Sequence, residues 1–305
     1  MLPAAAQKFP SRNIQLVVPL AAGSTTDVAA RLIAQRAAVT LGTQIVIENK
    51  PGGSTMLGSA AVAKAVPDGY TLLMGASSLT VNQNLFKSVP YDTERDFAPV
   101  SLVVTAPMVF VVNPATGVKT FAQFREKFAG SDGVTVATSG PGTMLGLATE
   151  VFKLRSGMNV RTIVYRGGGP ALSDVIAGHV NAMFGTPVIK QNIDAGEVNA
   201  LAVSGPSRLT RLADVPTFAE VGLPLPEIDT GAWFGILAPA GTPHDVIDTL
   251  NGAFNGALRD PELVTALLNL GMVPRGTSPE EFTAFIGSEI ARWPPIFRAA
   301  GIRPE

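Results

Sequence analysis

The stretch Val17-Val18-Pro19-Leu20-Ala21-Ala22-Gly23-Ser24-Thr25-Thr26-Asp27 runs from an apolar strand, through a turn of small residues, into a helix that begins near Asp27. A junction of this kind aims the first unpaired N–H groups of a helix at whatever lies beyond the strand end. Small residues let that backbone approach a ligand closely, and the hydroxyl residues add donors. The chain repeats the device. Lys50-Pro51-Gly52-Gly53-Ser54-Thr55, Ser139-Gly140-Pro141-Gly142-Thr143 and Arg166-Gly167-Gly168-Gly169-Pro170 each follow a β-rich run and precede a helical pattern.

Outward from the first junction, Ile14–Val18 predicts a strand, Gly42 a helix end, and Ile45–Ile47 a second strand. An alanine-rich helix to about Val66, the turn Pro67-Asp68-Gly69 and a strand at Tyr70–Met74 follow, ending at Gly75-Ala76-Ser77-Ser78. Strand and helix thus alternate over short loops, as in a parallel sheet covered by helices. Ligands on such sheets sit beyond the carboxyl ends of the strands, where these loops fall. The uncharged run between Asp96 and Lys119 raises the question of a membrane span. Pro99, Pro107 and Asn113-Pro114 break it, so two buried strands, Pro99–Val104 and Met108–Val112, are expected instead.

After Asn113-Pro114 the alternation restarts. Phe121–Phe128 predicts a helix and Val134–Ala137 a strand. Met144, Leu147, Ala148, Val151 and Phe152 form the i, i+3, i+4, i+7, i+8 stripe of a helix lying on a sheet. Thr162–Tyr165, Val180–Phe184 and Ala200–Val203 predict further strands, with a helix between the first two that buries Ala171, Leu172, Val175 and Ile176 and closes at Gly178. Trp233–Ala238 predicts a last strand before three helical stretches. Trp293-Pro294-Pro295 is expected to kink or stop the final one, because proline lacks the backbone donor.

Composition narrows the function. Of 305 residues, 46% are hydrophobic and 15% charged, enough for a substantial core. Net charge is −1 without a basic tract, which excludes a nucleic-acid partner by the usual electrostatic route. There is no cysteine, hence no disulfide or thiolate metal site. The start, Met1-Leu2-Pro3-Ala4-Ala5-Ala6, is consistent with the remnant of a removed export signal. His179 and His244, the only histidines, stand in no context suggesting a base for Ser24, Ser77, Ser78 or Ser139. Carboxylates at metal or acid–base spacing are missing. Asp27, Asp92, Asp96 and Asp174 read as a helix-start residue, turn residues and a solvated face. No phosphate or dinucleotide fingerprint occurs. What remains is anion binding: a helix terminus favours an anion by about 0.3–1 kcal/mol, and each charge-assisted hydrogen bond adds about 1.5–3 kcal/mol. A handful of these reaches the roughly 8 kcal/mol of micromolar affinity.

The order of these segments resembles the extracytoplasmic substrate-binding proteins of tripartite tricarboxylate transporters, the Bug family. The matching pieces include Phe9-Pro10-Ser11, Val17-Val18-Pro19 with the small-residue turn and Asp27, and Glu48-Asn49-Lys50-Pro51-Gly52. Pro67-Asp68-Gly69-Tyr70-Thr71-Leu72-Leu73, Val89-Pro90-Tyr91-Asp92, Val112-Asn113-Pro114, Tyr165-Arg166-Gly167, Asp214-Val215-Pro216-Thr217 and Trp233-Phe234-Gly235 follow in family order.

The resemblance implies an α/β, two-lobed periplasmic-binding-protein fold (type II-like), each lobe a mostly parallel sheet flanked by helices. Residues 1–113 with 230–305 would form one lobe and 114–229 the other. It implies a periplasmic, monomeric solute-binding protein that captures a small organic carboxylate by hinge closure and delivers it to membrane transporter subunits, without catalytic residues, cofactor or metal. The ligand would meet Ala22, Gly23, Ser24, Thr25 and Thr26 from one lobe and Tyr165, Arg166, Gly167 and Gly168 from the other, joined by Ser77, Ser139 and Thr143. The sequence departs from the family pattern where Ala21-Ala22-Gly23-Ser24-Thr25 replaces Pro-Pro-Gly-Gly-Gly, and where Gly185 stands in place of an aspartate that often follows the Met-Phe pair. Two other readings of the residues stay open: an α/β enzyme acting on a small acid, and an orphan sensor passing its ligand state to a signalling partner.

Overall fold

The computed structural model describes residues 9–130, 133–140 and 142–304; the start Met1 to Ala6 and Pro141 lie outside these. In chain order the strands are β1 (Ile14–Val18), β2 (Ile45–Asn49), β3 (Thr71–Ala76), β4 (Phe97–Ala106), β5 (Val109–Val112), β6 (Val134–Thr138), β7 (Val160–Val164), β8 (Ala182–Gly185), β9 (Asn199–Val203), β10 (Ala232–Pro239) and β11 (Val273–Pro274). The helices are α1 (Thr25–Leu41), α2 (Met56–Ala63), α3 (Ser78–Leu85), α4 (Phe121–Phe128), α5 (Met144–Ser156), α6 (Gly168–Ile176), α7 (Lys190–Asp194), α8 (His244–Ala257), α9 (Pro261–Asn269) and α10 (Pro279–Ala299).

The strands form two sheets, β11-β4-β10-β3-β1-β2 and β7-β6-β8-β5-β9. Both follow one plan. β1 pairs parallel with β2 and β3, and β6 pairs parallel with β7 and β8. On the far side of each parallel trio lies one antiparallel strand, β10 or β5, and beyond it a strand antiparallel to that one, β4 or β9. The fourth strand of each sheet is the one that enters from the other sheet. This is the two-lobed α/β architecture, with the lobes joined where chain passes between sheets. Each sheet is mixed rather than mostly parallel as expected, because β10 and β5 enter from the other sheet and run against both neighbours.

The first crossing is Ala106-Pro107-Met108-Val109 and the second lies between Val203 and Ala232. They run side by side. The Ser204 N–H donates to the Met108 carbonyl and the Met108 N–H to Ser204 Oγ, both at 2.8 Å. The Gly205 N–H donates to Asp229 at 3.0 Å, which fastens the second crossing to itself. Proline at 107 suits a segment that leaves one ladder before joining the next, because no ladder donor is required there.

Each sheet has its own apolar faces. The α1 face that meets the first sheet is built from Ala29, Ala30, Ile33, Ala34 and Ala37, small residues that let the helix lie close. The expected stripe Met144, Leu147, Ala148, Val151 and Phe152 is buried as a unit. It meets a cluster of phenylalanines in which Phe110 has Phe124, Phe152, Phe184 and Phe218 at ring distances of 5.2, 4.9, 4.9 and 6.3 Å. Among the described residues no helix is long and apolar enough to cross a membrane, and the run from Asp96 to Lys119 carries the two strands expected.

The expectation for Trp293-Pro294-Pro295 is corrected. α10 continues through both prolines to Ala299. Packing holds it: Trp293 and Phe297, one turn apart with rings stacked at 6.2 Å, are buried on either side of the pair, and Pro295 is exposed. That burial outweighs the two lost donors. The prolines also mark a transition. Phe282 and Ile286 pack on the first sheet with Trp233, whereas Trp293 and Phe297 join the second lobe's core, as do Val81 and Leu85 of α3. The last helix therefore belongs to both lobes.

Candidate functional site

β1 delivers the chain to Ala21-Ala22-Gly23, and Ser24 caps α1, its Oγ accepting from the Asp27 N–H at 3.2 Å. Helix begins at Thr25, two residues earlier than the sequence suggests. Asp27 is more than a helix-start residue. Its side chain is 4% exposed, and the carboxylate accepts from the Gly23 N–H at 2.9 Å, from Arg31 Nε at 3.1 Å and from Asn49 Nδ2 at 2.9 Å. Burial pushes this carboxyl up, but Arg31, Gly23 and Asn49 outweigh it and hold it below the ordinary carboxylate range. The aspartate thus fixes the turn from inside, and Asn49, which also donates to the Leu20 carbonyl at 3.0 Å, ties the turn to β2.

Several hydroxyls expected at the ligand serve local structure. Thr143 caps α5, accepting from Gly146 at 3.2 Å and from Ser139 Oγ at 2.9 Å while donating to the Gly140 carbonyl. Ser77 is buried, and its Oγ accepts from the Trp233 N–H at 3.1 Å, linking the end of β3 to β10. The Tyr165 hydroxyl donates to Asp174 at 2.7 Å. That bond raises the Tyr165 pKa together with burial, the larger cause, and lowers that of Asp174. Asp174 is therefore an anchor for Tyr165 rather than a solvated charge alone.

What these loops leave open is backbone. The N–H groups of Thr25 and Thr26, of Met144 and Leu145, and of Gly168 and Gly169 have no acceptor among the described residues. Each pair opens a helix of eight residues or more. Arg166, exposed just before the third pair, makes no ion pair among the described residues. Gly167 has an extended backbone, φ 168°, with open space where a Cβ would stand.

Contacts connect the loops across the seam. Thr55 Oγ1 lies 2.8 Å from Ser78 Oγ, and Asn82 of α3 donates to the Ser54 carbonyl at 2.7 Å. A Cβ built on Gly142 of the opposite lobe would stand 3.7 Å from Asn82 Oδ1 and 3.4 Å from Leu85, and one on Gly168 would stand 3.7 Å from Leu145. The path from residues 20–27 to 165–168 therefore runs through Asn49, the 54–55 turn, α3 and the 142–145 segment. No hydrogen bond joins 22–26 directly to 165–168 among the described residues. Ser54, Thr55 and Asn82 are not among the residues expected at the ligand, and Ser78 is read only as a nucleophile candidate without a base. The 50–55 loop, expected to repeat the device of residues 17–27, instead accepts the first N–H groups of α2, with Met56 donating to Gly53 at 2.9 Å and Leu57 to Gly52 at 3.3 Å.

Two further features bear on chemistry. A Cβ at Gly185 would come within 2.7 Å of Ile189, so Ile189 occupies the place an aspartate side chain would need. Among the described residues no group of three or more histidines or carboxylates is disposed to hold a metal ion, and His179 faces Asp174 at 3.4 Å. A concavity of about 380 Å³ bordered by Lys119, Arg125, Asp214 and Glu220 shares no residue with the loops above.

Comparison with known proteins fits this geometry. Residues 29–302 match the family described as the tripartite tricarboxylate transporter family receptor. The chain belongs to that family. Protein BugT of Bordetella pertussis is 36% identical over 99% of this chain and 93% of its own. Among solved structures, an R. palustris protein with adipate is 32% identical, covering 97% of this chain and 100% of that one at a TM-score of 0.88. MatC of Rhodopseudomonas palustris with bound malate is 32% identical, covering 94% and 99%, at a TM-score of 0.82. As a member of this receptor family the chain has the periplasmic-binding-protein fold, shared with the periplasmic binding protein BugD at 31% identity and a TM-score of 0.86.

Proposed function

We propose that this receptor is a periplasmic monomer that holds a small organic carboxylate between its lobes and presents it to a tripartite tricarboxylate-type membrane transporter. Residues 9–105 with 232–304 move as one lobe and 109–203 as the other, about the crossings at 106–108 and 204–231. β5 (Val109–Val112) is paired with β8 and β9 of the second sheet, so the boundary falls at the crossing and not at 113 as the resemblance implies. The observation carrying the reading is the set of three helix N-termini with unpaired N–H pairs at 25–26, 144–145 and 168–169, beside the unpaired Arg166. Such groups favour an anion, and carboxylates fit hydrogen-bond forks of this kind. Relatives solved with adipate and with malate add weight to a dicarboxylate.

The test uses the protein's own reporter. Trp233 and Trp293, its only tryptophans, are both buried and both face Glu289 where α10 passes between the lobes. Burial raises the Glu289 pKa; Arg292, at 2.7 Å, and the two indoles oppose it, although neither indole N–H closes to hydrogen-bond geometry. Titration with succinate, malate, adipate and citrate is expected to shift tryptophan emission saturably and raise Tm, with the acid recovered unchanged. Turnover of the acid would replace the receptor reading with an enzyme; no response to any acid would sink it.

Thr25→Val and Gly167→Val are expected to weaken that binding about tenfold each while Tm stays near wild type. The first removes a hydroxyl beside an open N–H pair, and the second adds bulk in free space. Wild-type affinity in both would move the ligand elsewhere.

A further inference from the structure

Asn82 is a fully buried carboxamide with half of its hydrogen-bonding capacity unused. Its Nδ2 donates to the Ser54 carbonyl at 2.7 Å and lies 3.4 Å from the Tyr91 hydroxyl. Its Oδ1 is buried without a partner. The orientation of the amide is dictated by chemistry: a backbone carbonyl only accepts, so the NH₂ must face Ser54 and the oxygen must face away.

The Ser54 carbonyl reaches that position through an unusual backbone. Ser54 and Thr55, neither of them glycine, adopt φ values of +51° and +76°. Such conformations persist only where surrounding contacts hold them, here Asn82 on the Ser54 carbonyl and Ser78 on the Thr55 hydroxyl. The loop after β2 and the helix after β3 thus cooperate to present one acceptor in a fixed direction.

That direction is across the seam. The place where a Cβ would stand on Gly142, in the loop that caps α5 of the opposite lobe, is 3.7 Å from Oδ1, an ordinary contact distance that leaves room for a group of methyl size. The oxygen is therefore covered by the other lobe, and movement about the crossings decides what it meets. A carboxylate cannot satisfy it, since both are acceptors. A hydroxyl can.

We propose that Asn82 is a specificity-determining residue, whose Oδ1 accepts a hydrogen bond from a ligand hydroxyl and so favours hydroxy-dicarboxylates over unsubstituted ones. This rests on the receptor reading, in which the open N–H pairs take the carboxylates and leave the substituent between them to Asn82. A polar group that stays unpaired when the analogue lacking its partner binds discriminates strongly against that analogue.

L-malate and succinate differ by one hydroxyl, and calorimetric titration of the wild type, Asn82→Leu and Gly142→Ala with both acids isolates it. The wild type should prefer malate by about tenfold or more. Asn82→Leu should bring the ratio close to one; release of the Ser54 carbonyl weakens both acids alike and cancels in the ratio. A merely structural role for Asn82 would weaken both acids together and leave the ratio unchanged. Gly142→Ala guards against a folding defect in the first variant: its methyl makes only ordinary contacts, yet it fills the space before Oδ1 and should also lower the ratio. Equal wild-type affinity for the two acids, or a ratio that neither substitution moves, would overturn the assignment and leave the receptor reading standing. Failure of the wild type to bind any acid in the wider panel would overturn both.

Discussion

Asp27→Ala should lower stability by about 2–4 kcal/mol and abolish detectable carboxylate binding. The estimate starts from the cost of removing one member of a buried, hydrogen-bonded charge pair, about 3–5 kcal/mol, and is reduced because the Arg31 side chain is 52% exposed and rehydrates readily. The Gly23 N–H and the Asn49 amide would lose their acceptor and the turn its internal anchor. Ligand loss follows, because Thr25 and Thr26 offer their N–H groups only while that turn is formed. Asp27→Asn separates shape from charge: it keeps the volume but replaces a charged acceptor and should show most of the stability loss. The pH dependence has a definite sign. The folded pKa lies below the ordinary 3.8, so the contribution of Asp27 is fully present above that value and is lost as pH falls through the depressed folded value. Denaturant unfolding of the wild type and Asp27→Asn should therefore differ by a constant amount above about pH 5 and converge in stronger acid. A difference that grows on acidification would contradict the buried-carboxylate account.

How far the chain could be read before its fold was known follows from what local pattern encodes. Phe121–Phe128 and the stripe from Met144 to Phe152 were legible because their period is helical and their burial one-sided. The interruption of the Asp96–Lys119 run by Pro107 was legible because proline leaves ladders. The partners of polar side chains were not. Nothing in Ser24 or Thr143 distinguishes a hydroxyl that caps its own helix from one that faces a ligand, since a short side chain serves either role. Asp27 reads as a first-turn acid, and only the fold brings Asn49 to it. Asn82 sits mid-helix in Ser78–Leu85 with no sequence signal at all; its meaning comes from a carbonyl twenty-eight residues earlier and a loop in the other lobe. The proline pair in α10 was misread for the same reason. Local propensity argued for a break, and two distant cores, one at each end of the helix, overrode it.

Gly231→Ala is the substitution expected to disturb the join between the lobes most. Gly231 ends the second crossing with φ +67°, a left-handed conformation that costs other residues about 1–2 kcal/mol. A Cβ there would stand 2.1 Å from the Ala106 carbonyl oxygen and 2.7 Å from the Pro107 Cα. Those are backbone atoms of the first crossing and cannot swing aside as a flexible side chain would. Relief requires the two connecting segments to separate, at a further cost of about 1–3 kcal/mol. The expected result is a loss of about 2–5 kcal/mol in denaturant unfolding, with weakened carboxylate binding in whatever protein remains folded. Weakened binding follows because the crossings set how the 22–26 and 165–168 loops face each other. Gly252→Ala, in the interior of α8 with open space around its Cβ, is the control and should be neutral or stabilising by about 0.5–1 kcal/mol. Wild-type stability and affinity in Gly231→Ala would mean that the two crossings are not in contact, and the hinge would have to be sought along α10 or α3, which pack into both lobes.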